Sequence, residues 1–152
     1  KDFLVVGSMG HASSIALGMN LALRGRKIVC IDGDGAFIMH MGAVAVIASH
    51  SRGNFKYIVI NNGSHESVGG QPTVAFDIDM PGIVSAAGFR KCYRARDRVE
   101  LERHFVDFIG SNDNAFLEIR VKPGSRADLG RPKSTPEENK KMFMSYIRES
   151  GQ

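Results

Sequence analysis

Two polar stretches, each directly after an apolar run, contain residues whose types and spacing could bind a metal ion. Asp34 lies between two glycines after the run that ends at Ile31, and Asn61 and Asn62 follow the run that ends at Ile60. Asp34 and Asn62 are 62 − 34 = 28 positions apart, which leaves room for one crossover helix between two parallel strands. A carboxylate and an amide at neighbouring strand ends offer only oxygen ligands. Such a site suits Mg²⁺ that also coordinates a phosphate.

The apolar runs and their spacing predict the secondary structure that must position these residues. Strands are predicted over residues 3–6, 27–31, 55–60, 89–93 and 115–121. Helices are predicted over residues 11–24, 37–49 and 81–87, after 97, and after 135. Asp79, Asp97 and Thr135 stand at helix N-cap positions, the last two with a glutamate three residues later. The alternation predicts an α/β fold, a doubly wound and mainly parallel sheet with helices on both faces. Ligands of such folds bind beyond the carboxyl ends of the strands.

Length, composition and charge describe one ordinary globular domain over residues 1–152. The net charge of +4 suits small anions, but the basic residues are scattered and only 8% of residues are aromatic, which argues against a nucleic-acid partner. No apolar stretch approaches the length of a membrane span, so we expect no membrane partner. Cys30 and Cys92 lie in apolar runs and are expected to be free thiols of a cytoplasmic protein. Because the chain does not begin with Met, we expect a part of a longer polypeptide or a processed end.

The acid between glycines and the later pair of asparagines together resemble the fingerprint of thiamine-diphosphate enzymes. The resemblance covers nearly the whole chain, as the diphosphate-binding (PP) domain of that superfamily. Within the superfamily, three stretches are similar to the phosphonopyruvate decarboxylase family: residues 7–14, 61–73 and 122–132. The resemblance implies a decarboxylase that converts 3-phosphonopyruvate to phosphonoacetaldehyde and CO₂. Three alternatives stay open: a sulfopyruvate decarboxylase of the beta-subunit type, an acetolactate-synthase-like carboligase, and a non-catalytic flavodoxin-like domain in which Asp34 only caps a helix.

The resemblance also implies roles for individual residues around the cofactor. The carboxylate of Asp34, the side-chain oxygen of Asn62 and the backbone carbonyl of Ser64 are expected to bind Mg²⁺. The backbone N–H groups of Gly35 and Ala36 would face the diphosphate.

The remaining cofactor contacts come from two further stretches. Met9 is expected beneath the bent cofactor, and the carbonyl of Gly7 would accept a hydrogen bond from its aminopyrimidine. Ser8, Gly33 and Asn61 complete the expected cofactor-binding set, with Asn61 bracing its loop rather than binding the metal.

The long polar segment after Asn62 is expected to receive the substrate, because a loop of this length in a small domain is usually functional. His65 and Glu66 are the candidate catalytic residues, one of which would move protons, although His65 could instead merely cap the loop. Weaker polar candidates are His11, Gln71 and Thr73, and Arg126 and Arg131 could bind an anion. The arginines at 94, 96 and 98 are expected on solvated faces.

The resemblance implies that this chain holds one half of an active site. In the superfamily, a glutamate of a separate pyrimidine-binding domain activates the cofactor across a subunit interface, and these 152 residues contain no such domain. We therefore expect that domain in the same longer chain or in a partner subunit, and a homo-oligomer, a dimer or larger. Alone, the chain should bind thiamine diphosphate weakly and turn over little 2-oxo acid substrate.

Overall fold

The chain forms two compact units in the computed structural model, which describes residues 1–124, 126–130 and 132–150. The first unit combines residues 1–9 with residues 125–152, and the second unit spans residues 10–124. The strands are, in chain order, β1 (Ile28–Gly33), β2 (Phe55–Asn61), β3 (Ser64–His65), β4 (Gln71–Pro72), β5 (Lys91–Ala95) and β6 (Ala115–Arg120). The helices are α1 (Ala12–Ala22), α2 (Asp34–Met39), α3 (Ala43–His50), α4 (Met80–Ala87), α5 (Arg98–Gly110) and α6 (Pro136–Glu149).

A parallel sheet in the order β1-β2-β6-β5 forms the centre of the second unit. Its register pairs Gly33 with Ile60 and Asn61 with Arg120, so β1, β2 and β6 end at one edge of the sheet. The short strands β3 and β4 form a separate antiparallel pair. The sheet thus brings the two predicted polar stretches to the same carboxyl edge, where ligands of α/β sheets bind.

Helices cover both faces of the sheet. On one face, Phe55, Tyr57 and Phe116 belong to a buried cluster that also includes residues of α1, α2, α3 and α4. On the other face, Leu117 packs with Phe108 of α5. Burial of such large apolar side chains is the main stabilising contribution to folds of this kind. The predicted fold class, a mainly parallel α/β sheet with helices on both faces, is therefore confirmed.

The predicted strand over residues 3–6 is wrong. Among the residues that the structure describes, this segment pairs with no strand, and it belongs to the first unit. There the backbone N–H of Leu4 donates to Oδ1 of Asn139 in α6 at 2.9 Å, and the rings of Phe3 and Phe143 lie 5.7 Å apart. An apolar run of four residues also suits an extended segment that packs on a helix, so the pattern did not distinguish the two.

The start of α6 agrees with its prediction. The Thr135 hydroxyl accepts from the N–H of Glu138 at 3.2 Å, and the Glu138 carboxylate accepts from the N–H of Thr135 at 2.8 Å. This reciprocal capping satisfies two backbone donors at the helix start. The hydrogen bond from the Thr135 backbone is the larger cause that lowers the pKa of Glu138.

Across the described residues, we find no helix with both the length and the apolar character that crossing a membrane requires.

The predicted helix over residues 37–49 is two helices. The first, α2, begins at Asp34 directly after β1, and the chain turns at His40 before α3 begins at Ala43. In this turn the N–H of Ala43 donates to the carbonyl of His40 at 2.9 Å. The early start of α2 places Asp34 in its first turn, where the positive end of the helix favours a carboxylate.

A buried lysine lies at the opposite end of β2 from the polar stretch. Lys56 is 0% exposed, and its Nζ donates to Oγ of Ser111 at 3.1 Å and to the carbonyl of Asp113. Burial lowers the pKa of Lys56 from 10.5 to about 8, and the charge of Lys27 acts in the same direction. Below pH 8 the ammonium form is present in both the folded and the unfolded states. Between about pH 8 and 10.5, only the unfolded chain keeps the proton, so the free energy of unfolding should rise with pH.

This titration predicts a difference between the wild type and Lys56→Met. From pH 8 to pH 10, the free energy of unfolding of the wild type should rise relative to that of the variant by on the order of 2 kcal/mol. Guanidinium unfolding of both proteins at the two pH values measures this difference. Parallel pH dependence of the two proteins would show that Lys56 keeps an ordinary pKa.

Candidate cofactor and metal site

Asp34 is a buried carboxylate at the carboxyl edge of the sheet. It is 1% exposed, and its Oδ2 accepts a hydrogen bond from Oγ1 of Thr73. Within the described parts of the chain, no ion pair involves Asp34. The cap position of α2 is Gly33, and the helix start has no side-chain capping bond. A buried carboxylate without a cationic neighbour is costly, so this position fits a bound cation.

Two successive side-chain turns shape the loop after β2. Oδ1 of Asn61 accepts from the N–H of Gly63 at 3.1 Å, and Oδ1 of Asn62 accepts from the N–H of Ser64 at 3.0 Å. Gly63 has a φ of 69°, a left-handed conformation that favours glycine. Because an amide oxygen has two lone pairs, Oδ1 of Asn62 can still coordinate a metal ion.

Thr73 connects the two polar stretches. The β3–β4 pair folds the chain back, with Ser64 opposite Pro72. The N–H of Thr73 then donates to the carbonyl of Gly63 at 2.9 Å, while its hydroxyl donates to Asp34. The contact between Thr73 and Asp34 was not predicted, since only the folded position of the β3–β4 pair brings residues 39 positions apart together.

His65 lies against the start of α2. A Cβ atom at Gly35 would overlap the imidazole ring of His65, so the glycine is what allows this close approach. Glu66 is exposed, and its Oε1 accepts from the N–H of Gly124 at 2.7 Å, which ties the loop to the segment after β6. The catalytic roles of His65 and Glu66 stay predictions.

The start of α1 approaches the end of α2. A Cβ at Gly10, which has a φ of 85°, would overlap the ring of His40 and lie 2.9 Å from the carbonyl oxygen of Ala36. The ring of His11 lies 4.2 Å from that of His40.

The other predicted contact residues lie in the first unit. Gly7, which has a φ of 83°, belongs to that unit with Ser8 and Met9, and their cofactor contacts stay predictions. Arg126 pairs with Asp128 at 3.1 Å, with both side chains exposed. Arg131 lies outside the described residues.

Asp32, the other acid near the end of β1, is turned to the core. Oδ2 of Asp32 accepts from the hydroxyl of Tyr57 at 3.2 Å. Burial raises the pKa of Asp32, and the hydrogen bonds from Tyr57 and from the Gly33 backbone partly oppose this rise. Burial is also the main cause that raises the pKa of Tyr57. Asp32 therefore already has a partner in the core, in contrast to Asp34.

A second buried carboxylate, Glu118 in β6, was not predicted. It accepts from Arg94 at 2.6 Å, from Arg120 at 3.0 Å and from Asn61 at 2.8 Å. The signal in the sequence was an acid inside an apolar strand, because such residues are rarely buried without partners.

The prediction that Arg94 lies on a solvated face is wrong. Its side chain is 20% exposed, and it also pairs with Asp79 at 2.7 Å. Asp79 occupies the position before α4 but makes no capping bond, because its carboxylate binds Arg94 instead. Burial acts to lower the pKa of Arg94, but the hydrogen bonds and charges of Glu118 and Asp79 raise it. Arg96 and Arg98 are exposed, as predicted.

The donor set at the carboxyl edge fits a hard cation. The described residues include no group of three or more His, Cys, Asp and Glu side chains that could hold a metal ion. A cation at this edge would therefore depend on Asp34 together with amide and carbonyl oxygens, which Asn62 and Ser64 can offer. Mg²⁺ prefers such oxygen ligands and keeps further positions for phosphate and water.

Comparison with known proteins identifies the family. The family model for the C-terminal TPP binding domain of thiamine pyrophosphate enzymes matches residues 2–119. This chain belongs to that family, and the family predicted from the sequence is confirmed. The family binds thiamine pyrophosphate, which is the cofactor predicted from the sequence under its other name, thiamine diphosphate.

Relatives of known function are about one-third identical to this chain over the aligned residues. The phosphonopyruvate decarboxylase of Streptomyces viridochromogenes is 33% identical over 97% of this chain and 37% of its own length. That of Streptomyces hygroscopicus is 33% identical over 98% of this chain and 37% of its own length. The sulfopyruvate decarboxylase subunit beta of Methanothermobacter thermautotrophicus is 32% identical over 97% of this chain and 76% of its own length. The chain thus spans little more than a third of the length of the two phosphonopyruvate decarboxylases.

Solved structures confirm the fold. A putative thiamin diphosphate-dependent enzyme from Mycobacterium smegmatis superimposes with a TM-score of 0.59 at 24% identity, over 78% of this chain and 23% of that chain. Benzoylformate decarboxylase from Polynucleobacter necessarius superimposes with a TM-score of 0.61 at 18% identity, over 77% of this chain and 24% of that chain. At such identities, the likeness concerns the fold alone.

Proposed function

We propose that this chain is the diphosphate-binding half of a decarboxylase that depends on thiamine diphosphate and Mg²⁺ and converts 3-phosphonopyruvate to phosphonoacetaldehyde and CO₂. One observation carries the proposal. The buried carboxylate of Asp34 makes no ion pair within the described residues, and Thr73 links it to the loop that carries Asn62 and Ser64. The choice of substrate follows the relatives named phosphonopyruvate decarboxylase, which match nearly the whole chain.

In this proposal, Mg²⁺ is held by Asp34, Asn62 and the carbonyl of Ser64. The backbone N–H groups of Gly35 and Ala36 face the diphosphate at the start of α2. Held there, Mg²⁺ would supply the positive charge that compensates both the buried Asp34 carboxylate and the phosphates.

The other proposed cofactor contacts come from the ends of the two polar stretches and from the first unit. Gly33 and Asn61 flank the metal site. Gly7, Ser8 and Met9 take the organic end of the cofactor, with Met9 as its apolar support.

The protein's own contribution to the chemistry is proton transfer and exclusion of water. When bound, thiamine diphosphate supplies the electron sink that allows a 2-oxo acid to lose CO₂. We assign proton transfer to His65, because imidazole is a common general acid and base and the ring of His65 lies beside Gly35 at the start of α2. Glu66 is the other candidate, with one of its oxygens bound to the backbone of Gly124.

The proposal includes a second half of the site. A pyrimidine-binding domain, in the same longer polypeptide or in a partner subunit, would supply the glutamate that activates the cofactor. We also propose a homo-oligomer, a dimer or larger, in the cytoplasm, where Cys30 and Cys92 remain free thiols.

A sulfopyruvate decarboxylase is the second candidate function. The observation in its favour is the sulfopyruvate decarboxylase subunit beta noted above, of which this chain covers 76%. Phosphonate and sulfonate groups are both tetrahedral anions, so the metal site does not distinguish these substrates.

Steady-state kinetics of the complete enzyme separates the candidates. With thiamine diphosphate and Mg²⁺ present, kcat/KM should be highest for phosphonopyruvate, by at least about tenfold over sulfopyruvate and pyruvate. A preference for sulfopyruvate would select the second candidate, and a preference for pyruvate would indicate a carboligase-type enzyme. No turnover of any 2-oxo acid would refute the proposed function.

A further inference from the structure

The carboxylate of Glu118 is the most deeply buried charge next to residues 61–64, which we call the metal loop. Glu118 is 0% exposed in β6 and has three donors. Its Oε2 accepts from Nε of Arg94 at 2.6 Å, and its Oε1 accepts from Nε of Arg120 at 3.0 Å and from Nδ2 of Asn61 at 2.8 Å. A buried carboxylate is tolerated only when such partners compensate its lost hydration.

An ionised carboxylate only accepts hydrogen bonds, and this fixes the orientation of the Asn61 amide. With Nδ2 turned to Glu118, the amide oxygen of Asn61 must point the other way, where it accepts from the N–H of Gly63 at 3.1 Å. Nδ2 of Asn61 also lies 3.4 Å from the carbonyl of Ala75. If the amide turned over, its NH₂ group would face the N–H of Gly63 and the bond would be lost.

The bond between Asn61 and Gly63 is the first turn of the metal loop. Gly63 stands between the two proposed ligand residues Asn62 and Ser64, and its carbonyl accepts from the N–H of Thr73 at 2.9 Å. Thr73 in turn donates to Asp34. A continuous set of hydrogen bonds therefore runs from Glu118 through Asn61, Gly63 and Thr73 to Asp34, and the other two proposed ligands, Asn62 and Ser64, are the chain neighbours of Gly63.

The two arginines bound to Glu118 each make a further contact. Arg94 reaches Asp79 at 2.7 Å, ahead of α4. The guanidinium of Arg120 lies 5.1 Å from the centroid of the Phe76 ring, and a Cβ at Gly63 would overlap that ring. The carboxylate of Glu118 thus pairs with two cations, of which Arg120 lies against the Phe76 ring beside Gly63, while Arg94 also pairs with Asp79.

We propose that Glu118 is a positioning residue for the metal site, which sets the Asn61 amide and thereby the turn that presents Asn62 and Ser64. It acts through Asn61 and touches neither cofactor nor substrate. This inference rests on the proposed function, since the loop is taken to hold Mg²⁺. Partners that orient metal ligands in this way commonly contribute 10- to 100-fold to metal affinity.

Glu118→Gln tests this role in the complete enzyme. In either orientation the glutamine NH₂ group faces a donor, Arg94 on one side or Arg120 and Asn61 on the other, so Asn61 either loses its acceptor or keeps only an uncharged one. We expect the Mg²⁺ concentration for half-maximal thiamine diphosphate binding to rise by about 10- to 100-fold. Amide hydrogen exchange of Gly63, measured by NMR without cofactor or metal, should speed up at least about tenfold.

Two further variants separate positioning from general destabilisation. Lys56→Met also removes a buried, hydrogen-bonded charge, but at the opposite end of β2, and it should leave the Mg²⁺ dependence and the Gly63 exchange unchanged. The double variant Glu118→Gln/Asn61→Asp offers a matched pair, because the glutamine can donate to the new carboxylate, whose other oxygen accepts from Gly63. It should restore slow Gly63 exchange.

Each outcome decides the proposal. Wild-type Mg²⁺ dependence and Gly63 exchange in Glu118→Gln would overturn it, and so would an equal loss of Mg²⁺ affinity in Lys56→Met. If Glu118→Gln does not fold, the double variant decides, and its failure to fold or to protect Gly63 overturns the inference. Absence of Mg²⁺-dependent binding in the wild type refutes the proposed function instead, while the exchange of Gly63 still tests the part played by Glu118.

Discussion

Replacing Asp34 with alanine should remove Mg²⁺-dependent binding of thiamine diphosphate and leave the metal-free protein at least as stable as the wild type. The loss of a direct ligand should exceed the 10- to 100-fold effect on metal affinity that is usual for its neighbours. Stability should not fall, because the variant removes a buried carboxylate that, within the described residues, has the hydrogen bond from Thr73 and the start of α2 to compensate it but no ion pair.

Opposite effects on binding and stability distinguish a metal ligand from a helix cap. Calorimetric Mg²⁺ titrations in the presence of thiamine diphosphate measure the first effect, and guanidinium unfolding in EDTA measures the second. Asp34→Asn is the matched control, since it keeps an acceptor for Thr73 but removes the charge, and its Mg²⁺ affinity should also fall. If Asp34 merely stabilised the start of α2, alanine would cost about 1 kcal/mol and Mg²⁺-dependent binding would survive.

Gly35→Ala should inactivate the complete enzyme without unfolding it. The new methyl group would overlap the ring of His65, which must then move away from the start of α2. A displacement of about 1 Å at a catalytic group can cost about 100-fold in rate, and we expect a loss of at least that size in kcat/KM. Stability should change little, because alanine is the better helix former and offsets part of the crowding.

The double variant Gly35→Ala/His65→Ala identifies the cause of this loss. Without the imidazole ring, the methyl group at position 35 has space, so adding Gly35→Ala to His65→Ala should cause no further loss of kcat/KM. The rate should stay as low as that of His65→Ala alone if His65 moves protons. Full activity of Gly35→Ala would show that the close approach of His65 is not required for function.

The sequence could predict that Asp34 and the pair Asn61 and Asn62 lie at the same edge of the sheet, because this depends on local patterns. Each apolar run was long enough for a strand, and a spacing of one crossover helix makes neighbouring strands parallel. The structure pairs Gly33 with Ile60, so the residues after both strands lie at one edge. Turn residues such as Gly63 and the paired asparagines further marked where the chain leaves the sheet.

Contacts between distant residues could not be predicted in this way. Leu4 finds its partner Asn139 135 positions later, so nothing near Leu4 shows that its segment packs on a helix. Asn61 and Glu118 are 57 positions apart, and they meet only because β6 lies beside β2. The local patterns do not determine the order of the strands, so they do not indicate the network around Glu118.

In the proposed function, Mg²⁺ at the candidate metal site holds the diphosphate of the cofactor. Calorimetric titration of the wild-type complete enzyme with thiamine diphosphate tests this role of Mg²⁺ most directly. In Mg²⁺ we predict saturable binding, and in EDTA we predict an affinity lower by at least about 100-fold, because the buried Asp34 carboxylate would then repel the phosphates. Equal affinity with and without Mg²⁺, or no binding in Mg²⁺, would contradict the assignment of Asp34, Asn62 and Ser64 as the cation site.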